Sequence, residues 1–75
     1  MNVHHLVTMA NDICAFFQSE AGAQDAPKEV ANHITRFWDP RMRSQIIEYA
    51  RAGGEGLSSI SRAAVLMLAP PAPRN

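Results

Sequence analysis

Helix-breaking residues divide this chain into four short segments, and this division constrains the fold more than any other feature of the sequence. Pro27 and Pro40 each suit the first turn of a helix, because proline lacks the N–H group that an interior position needs. The Gly53–Gly54 pair is typical of a helix C-terminus. Apolar residues recur at helical spacing between these breaks. The sequence therefore predicts an all-α fold without strands.

The same patterns predict where the helices begin and end. The predicted helices cover residues 6–18, 27–39, 40–52 and 59–68. Asp39 and Ser58 are the expected N-caps of the third and fourth helices, since each carries an oxygen that can accept from unpaired N–H groups. We expect one small compact bundle of about four short helices over residues 1–69, followed by an extended Pro-rich tail over residues 70–75.

The length of the chain limits the core that it can build alone. A chain of 75 residues buries only roughly 60 to 65% of the surface that its unfolded form exposes, so small domains often add disulfides, a metal or a partner. Cys14 is the only cysteine, which excludes an internal disulfide. The fourth predicted helix is apolar on nearly every side, with Val65 and Leu66 outside its main apolar face. We therefore expect part of its burial to come from another protein.

Charge and hydropathy exclude several classes of partner. Seven basic and seven acidic residues give no net charge, so no strong field steers the chain onto nucleic acid or an anionic membrane. No apolar run reaches the ~18 residues of a membrane span, and the first residues lack the basic region of a signal peptide. A soluble cytoplasmic protein is expected.

The chain offers no clear catalytic, cofactor or metal site. The candidate metal ligands are His4, His5, Cys14 and His33. No two of them have the i, i+4 spacing that places paired ligands on one helix face. Cys14 is expected to be a small core residue rather than a nucleophile. The glycines of "GGEG" precede neither a lysine nor a strand, so a helix stop explains them better than a phosphate loop. We therefore do not expect an enzyme.

The segment "RFWDPRMR", residues 36–43, is the strongest candidate for a contact with another protein. Phe37 and Trp38 diverge by about 100° around a helix, so one ring can pack inward while the other faces out, although both could close a minimal core. Trp and Arg are enriched in interface hot spots. Arg43 lies four residues after Asp39, which predicts a local ion pair. The candidate partner-binding residues are Phe37, Trp38, Arg41, Arg43, Val65 and Leu66.

Three blocks of the chain resemble, in order, the delta subunit of NAD-dependent, molybdenum-containing formate dehydrogenases. The blocks are "HLVTMANDICAFF" (residues 5–17), "VANHITRFWDPRMR" (30–43) and "AGGEGLSSISRAAV" (52–65). Ser58–Ser59 stands where that family leads us to expect an Asp-Pro helix start. The resemblance implies a non-catalytic accessory subunit without cofactors of its own, which binds the large catalytic alpha subunit directly and other subunits indirectly. It also implies that the partner subunits carry bis-molybdopterin guanine dinucleotide molybdenum, iron-sulfur clusters and FMN.

Two other functions remain open at this level. The chain could be a maturation chaperone that leaves the finished enzyme, a distinction that depends on stoichiometry rather than on sequence. A helix-turn-helix-like DNA-binding regulator is the other alternative. It is disfavoured because Arg41 and Arg43 face about 200° apart and form no basic stripe.

Overall fold

The computed structural model describes residues 2–70, and within them it shows four helices and no strand. The helices are α1 (Val3–Ala21), α2 (Ala26–Phe37), α3 (Pro40–Arg51) and α4 (Ser59–Leu66). The all-α prediction is confirmed. Apart from the exposed Pro70, which belongs to no helix, the predicted Pro-rich tail lies outside the described residues.

Helix α1 extends beyond the predicted residues 6–18 at both ends, because local caps set its limits. The Asn2 Oδ1 atom accepts a hydrogen bond from the His4 N–H at 2.8 Å, so the helix begins at Val3. Gly22 ends it with a φ of 84°, and its N–H donates to the Gln18 carbonyl at 3.1 Å. The loop to α2 is consequently shorter than the sequence indicated.

The residue before Pro40 is not helical at the junction between α2 and α3, as expected before a proline, but α2 ends earlier than predicted. The helix ends at Phe37 rather than at the predicted Asp39, because Trp38 is already extended with a ψ of 137°. Asp39 is also extended, and its Oδ1 accepts from the Met42 N–H at 2.9 Å. Asp39 as the N-cap of α3 is confirmed.

Glycine and serine define the connection between α3 and α4. The Gly53 N–H donates to the Ala50 carbonyl at 3.2 Å and the Gly54 N–H to the Tyr49 carbonyl at 2.9 Å. Two such bonds form a Schellman motif, and the positive φ of both glycines permits it. The Ser58 Oγ atom accepts from the Ser61 N–H at 3.1 Å. Both the predicted glycine stop and the predicted serine cap are confirmed.

Helix α4 ends at Leu66, two residues before the predicted Leu68. The N–H groups of Met67 and Leu68 instead donate to the carbonyls of Ala64 and Val65, three residues back, at 3.1 and 3.0 Å. This tighter turn is common at helix ends. It turns Leu68 back into the core, where it is 6% exposed.

All four helices contribute to one hydrophobic core, in which α4 packs against each of the other three. Its fully or almost fully buried members include Leu6, Ala10, Cys14, Val30, Ile34, Ile46, Ala50, Ala64 and Val65. Cys14 is 1% exposed, which confirms its expected role as a small core residue. None of the helices in residues 2–70 has the length and apolar character needed to cross a bilayer.

The central position of α4 corrects one expectation. Val65 was expected to project away from the main apolar face, but it is 0% exposed because helices of this chain surround α4 on several sides. Leu66, the next residue, does face outward and is 43% exposed. The chain itself therefore covers most of α4, and only the end of the helix leaves large apolar side chains at the surface.

Candidate interaction surface

The two aromatic residues at the corner between α2 and α3 point in opposite directions. Trp38 is 4% exposed and belongs to the core, whereas Phe37 is 68% exposed. The expectation of one inward and one outward ring is confirmed. The indole of Trp38 packs within the chain, so its assignment as a partner contact stays a prediction that this burial does not support. Phe37 is the ring that remains accessible.

The arginines of this corner also differ from each other. The Arg43 Nη1 atom donates a hydrogen bond to the Trp38 carbonyl at 2.6 Å. This bond replaces the predicted ion pair with Asp39, because the end of α2 leaves carbonyl groups that need a donor. Arg43 therefore stabilises the corner between α2 and α3 through this hydrogen bond. Arg41 is exposed and stays available for a partner.

A side chain from α1 holds the loop between α3 and α4 in place. The Asn11 Nδ2 atom donates to the Gly56 carbonyl at 2.8 Å, and the Asn11 Oδ1 atom accepts from the Ser58 N–H at 3.0 Å. One amide thus satisfies an acceptor and a donor of the loop backbone. We call this pair of hydrogen bonds the Asn11 clamp. It joins the first and third blocks of the sequence pattern.

Further contacts fix the other side of the same loop. The Tyr49 hydroxyl donates to the Glu55 carbonyl at 2.6 Å, and the Arg62 Nε atom donates to the Ala50 carbonyl at 3.2 Å. A Cβ atom on Gly54 would lie 3.1 Å from the Arg62 side chain. These contacts account for "GGEG" as a packed structural turn.

Four aromatic side chains form a continuous row on the surface of α1 and α2. The Phe16 and Phe17 ring centroids lie 5.1 Å apart, Phe17 and His33 lie 6.0 Å apart, and His33 and Phe37 lie 4.7 Å apart. Spacings of this kind are typical of favourable aromatic contacts. We call Phe16, Phe17, His33 and Phe37 the aromatic row. It places Phe37 in a larger surface than the corner alone.

An open groove of about 280 Å³ lies along this row. It is lined by Asp12, Ile13, Phe16, Phe17 and His33, and almost all of its surface is apolar. Phe16 stays 58% exposed at its side. Sequence reasoning identified Phe37 but missed Phe16 and His33 as members of a surface site. The available signal was the i, i+4 spacing of His33 and Phe37, combined with the short connection that makes α1 and α2 neighbours.

A second exposed apolar feature lies at the end of α4. Leu66 is 43% exposed and Met67 is 57% exposed. Leu66 was expected at the surface, and Met67 joins it because the helix has ended. Within residues 2–70 no group of three or more His, Cys, Asp or Glu side chains could hold a metal ion.

Comparison with known proteins connects this architecture to a family. A protein-family model described as "NADH-dependant formate dehydrogenase delta subunit FdsD" matches residues 5–65. The chain belongs to the FdsD family. The FdsD match covers nearly all of α1 and α4 and the whole of the corner between α2 and α3. It therefore includes the Asn11 clamp and the aromatic row. Comparisons with curated proteins and with solved structures give no significant match.

Proposed function

We propose that this chain is a non-catalytic accessory subunit of a formate dehydrogenase complex. It binds the molybdenum-containing large subunit and supports the assembly, the stability or the cofactor insertion and retention of that subunit. Membership of the FdsD family is the observation that carries the proposal.

The surface of the chain supports a role in binding another protein. Among residues 2–70, the large apolar side chains left at the surface are Phe16, Phe37, Leu66 and Met67, each between 43 and 68% exposed. Aromatic residues and Met are enriched at the centres of protein interfaces. Phe16 and Phe37 are joined in one aromatic row, and grouped apolar side chains at a surface are typical of protein interaction sites.

Such a subunit would act through preferential binding to the folded large subunit. A ligand that binds only the folded state, at a free concentration 100 times its Kd, stabilises that state by about 2.7 kcal/mol. The same binding would oppose the local opening through which a cofactor could leave. In this proposal the molybdenum centre, the iron-sulfur clusters and FMN belong to the partner subunits, and this chain contributes contacts alone.

A pull-down of the tagged chain from its native host tests the proposal directly. Mass spectrometry should identify the large formate dehydrogenase subunit, with about one copy of this chain for each large subunit in active enzyme. Recovery of no molybdenum or iron-sulfur subunit would refute the proposal. Substoichiometric amounts in the finished enzyme would instead support a chaperone that acts during maturation.

A deletion strain separates the possible benefits to the large subunit. If the chain supports cofactor retention, large subunit purified without it should contain less molybdenum per polypeptide, although the amount of polypeptide is normal. If the chain supports folding or assembly, the amount of large subunit should fall and its molybdenum content should remain. An unchanged amount and an unchanged molybdenum content would contradict both roles.

A further inference from the structure

We propose that the groove between α1 and α2 is the docking site for an apolar segment of another subunit that carries Lys or Arg on both sides of its apolar residues. The inference rests on the proposed function, because it names the surface through which this chain would bind its partner. It places the main contact on the α1–α2 hairpin, away from the end of α4.

The apolar floor of the groove gives the first part of the argument. Phe16 and Phe37 are the two most exposed large apolar residues of the described chain, and the aromatic row links them. Phe17 and Ile13 pack against the core below and hold the floor in place. Rigid aromatic side chains beside an apolar depression can receive an aliphatic or aromatic anchor from a partner.

Carboxylates at the edges of this floor determine the charge of the partner. On α1, Asp12 and Glu20 lie four residues before and four residues after Phe16, and both are exposed. On α2, Glu29 lies four residues before His33. Residues at this spacing share one side of a helix. The apolar floor is therefore accompanied by acidic residues from both helices.

Charged residues are also unevenly distributed along the whole chain, although the net charge is zero. Residues 1–37, which include α1 and α2, contain four carboxylates and two basic side chains, whereas residues 38–75 contain three carboxylates and five arginines. The hairpin of α1 and α2 is thus the acidic part of the protein. Complementary charge at the edge of an interface raises association rates and excludes partners of the wrong sign.

The acidic character of the α1–α2 hairpin favours one kind of occupant of the groove over the others. Symmetric pairing of two copies through the groove would place like carboxylates near each other, which disfavours a dimer on this face. Anionic lipid and nucleic acid are repelled for the same reason. An apolar segment with basic flanks satisfies both the floor and the edges of the groove.

The experiment compares variants of the full chain for binding to formate dehydrogenase subunits purified from a host strain that lacks this chain. Phe16→Ala combined with Phe37→Ala should raise the Kd by about 30-fold or more, as expected when hot-spot side chains are lost. A comparison variant, Leu66→Ala combined with Met67→Ala, removes the exposed apolar side chains at the end of α4 and should raise the Kd by a smaller factor. A larger increase than that of the groove variant would place the main contact at the end of α4 and overturn the inference.

A charge-reversed variant provides a second test that leaves the aromatic residues intact. Asp12→Lys combined with Glu20→Lys should weaken binding and reduce its dependence on salt concentration, while Glu48→Lys on α3 should change neither. Far-UV circular dichroism checks that each variant is folded. Because the three charged residues are exposed, these substitutions do not disturb the core.

The outcomes distinguish the inference from the proposed function. If the native chain binds the subunits and the groove variants bind equally well, the inference is overturned and the proposed function stands. If the native chain binds no subunit, the proposed function fails and the inference fails with it. Sedimentation of the free chain tests the remaining occupant, because a dimer that Phe16→Ala and Phe37→Ala dissociate would assign the groove to a second copy and overturn the inference.

Discussion

Removal of the Asn11 clamp should destabilise the fold although it leaves the hydrophobic core unchanged. Asn11→Ala deletes two hydrogen bonds to the loop between α3 and α4, with lengths of 2.8 and 3.0 Å. Each bond contributes about 1 kcal/mol to stability, so their loss costs about 2 kcal/mol. Alanine also favours the helix by roughly 0.6 kcal/mol relative to asparagine. The net loss should therefore be about 1.5 kcal/mol.

Asn32→Ala is the matched control for this prediction. Asn32 is an exposed residue within α2, so Asn32→Ala gains the same helix propensity as Asn11→Ala but leaves the Asn11 clamp intact. Urea unfolding of the full chain, followed by far-UV circular dichroism, should separate the two variants by about 2 kcal/mol. Thermal unfolding should lower the Tm of Asn11→Ala by about 6 to 12 °C relative to the native chain.

A small difference between these two variants would refute the reasoning. If their free energies of unfolding agree within about 0.5 kcal/mol, water replaces the amide at no cost and the clamp does not stabilise the loop. The loop contacts of Tyr49 and Arg62 would then be sufficient to hold the turn.

Two further predictions concern the corner between α2 and α3 and the glycine turn. Trp38→Ala should lower the free energy of unfolding by about 3 to 5 kcal/mol because the indole is buried. Phe37→Ala should change it by less than about 0.5 kcal/mol because the ring is exposed. Similar urea midpoints for the two variants would contradict the burial of Trp38 and the exposure of Phe37. Gly54→Ala should cost about 1 to 2 kcal/mol, because its φ is 65° and the added Cβ would lie 3.1 Å from Arg62. An unchanged thermal midpoint for Gly54→Ala would show that the turn adapts.

The sequence was sufficient to place the helices because their limits depend on neighbouring residues. Asp39 before Pro40, Ser58 at the start of α4 and the glycine pair after α3 each act through hydrogen bonds to backbone groups within five residues. Local signals of this kind can be identified without knowledge of the fold. The errors at helix ends also have local causes, as the Asn2 cap of α1 illustrates.

The direction of burial was harder to predict, since it depends on which helices become neighbours. Helical spacing alone could not decide whether Phe37 or Trp38 faces the core, or that α4 would be covered on the side of Val65. The aromatic row requires α1 and α2 to lie side by side. The Asn11 clamp joins residues that are 45 and 47 positions apart, a separation that no local pattern reveals.

The crossing of α1 and α4 has a consequence for the synthesis of the protein. The buried Ser61 hydroxyl lies 3.5 Å from the Ala10 carbonyl, which is 51 positions earlier in the chain. Ribosomes add about 5 to 20 residues per second, so the partner of Ala10 is made roughly 3 to 10 s after it. During that interval the apolar side of α1 lacks one of its covering helices. The core around α1 is therefore completed only when the last helix has been made.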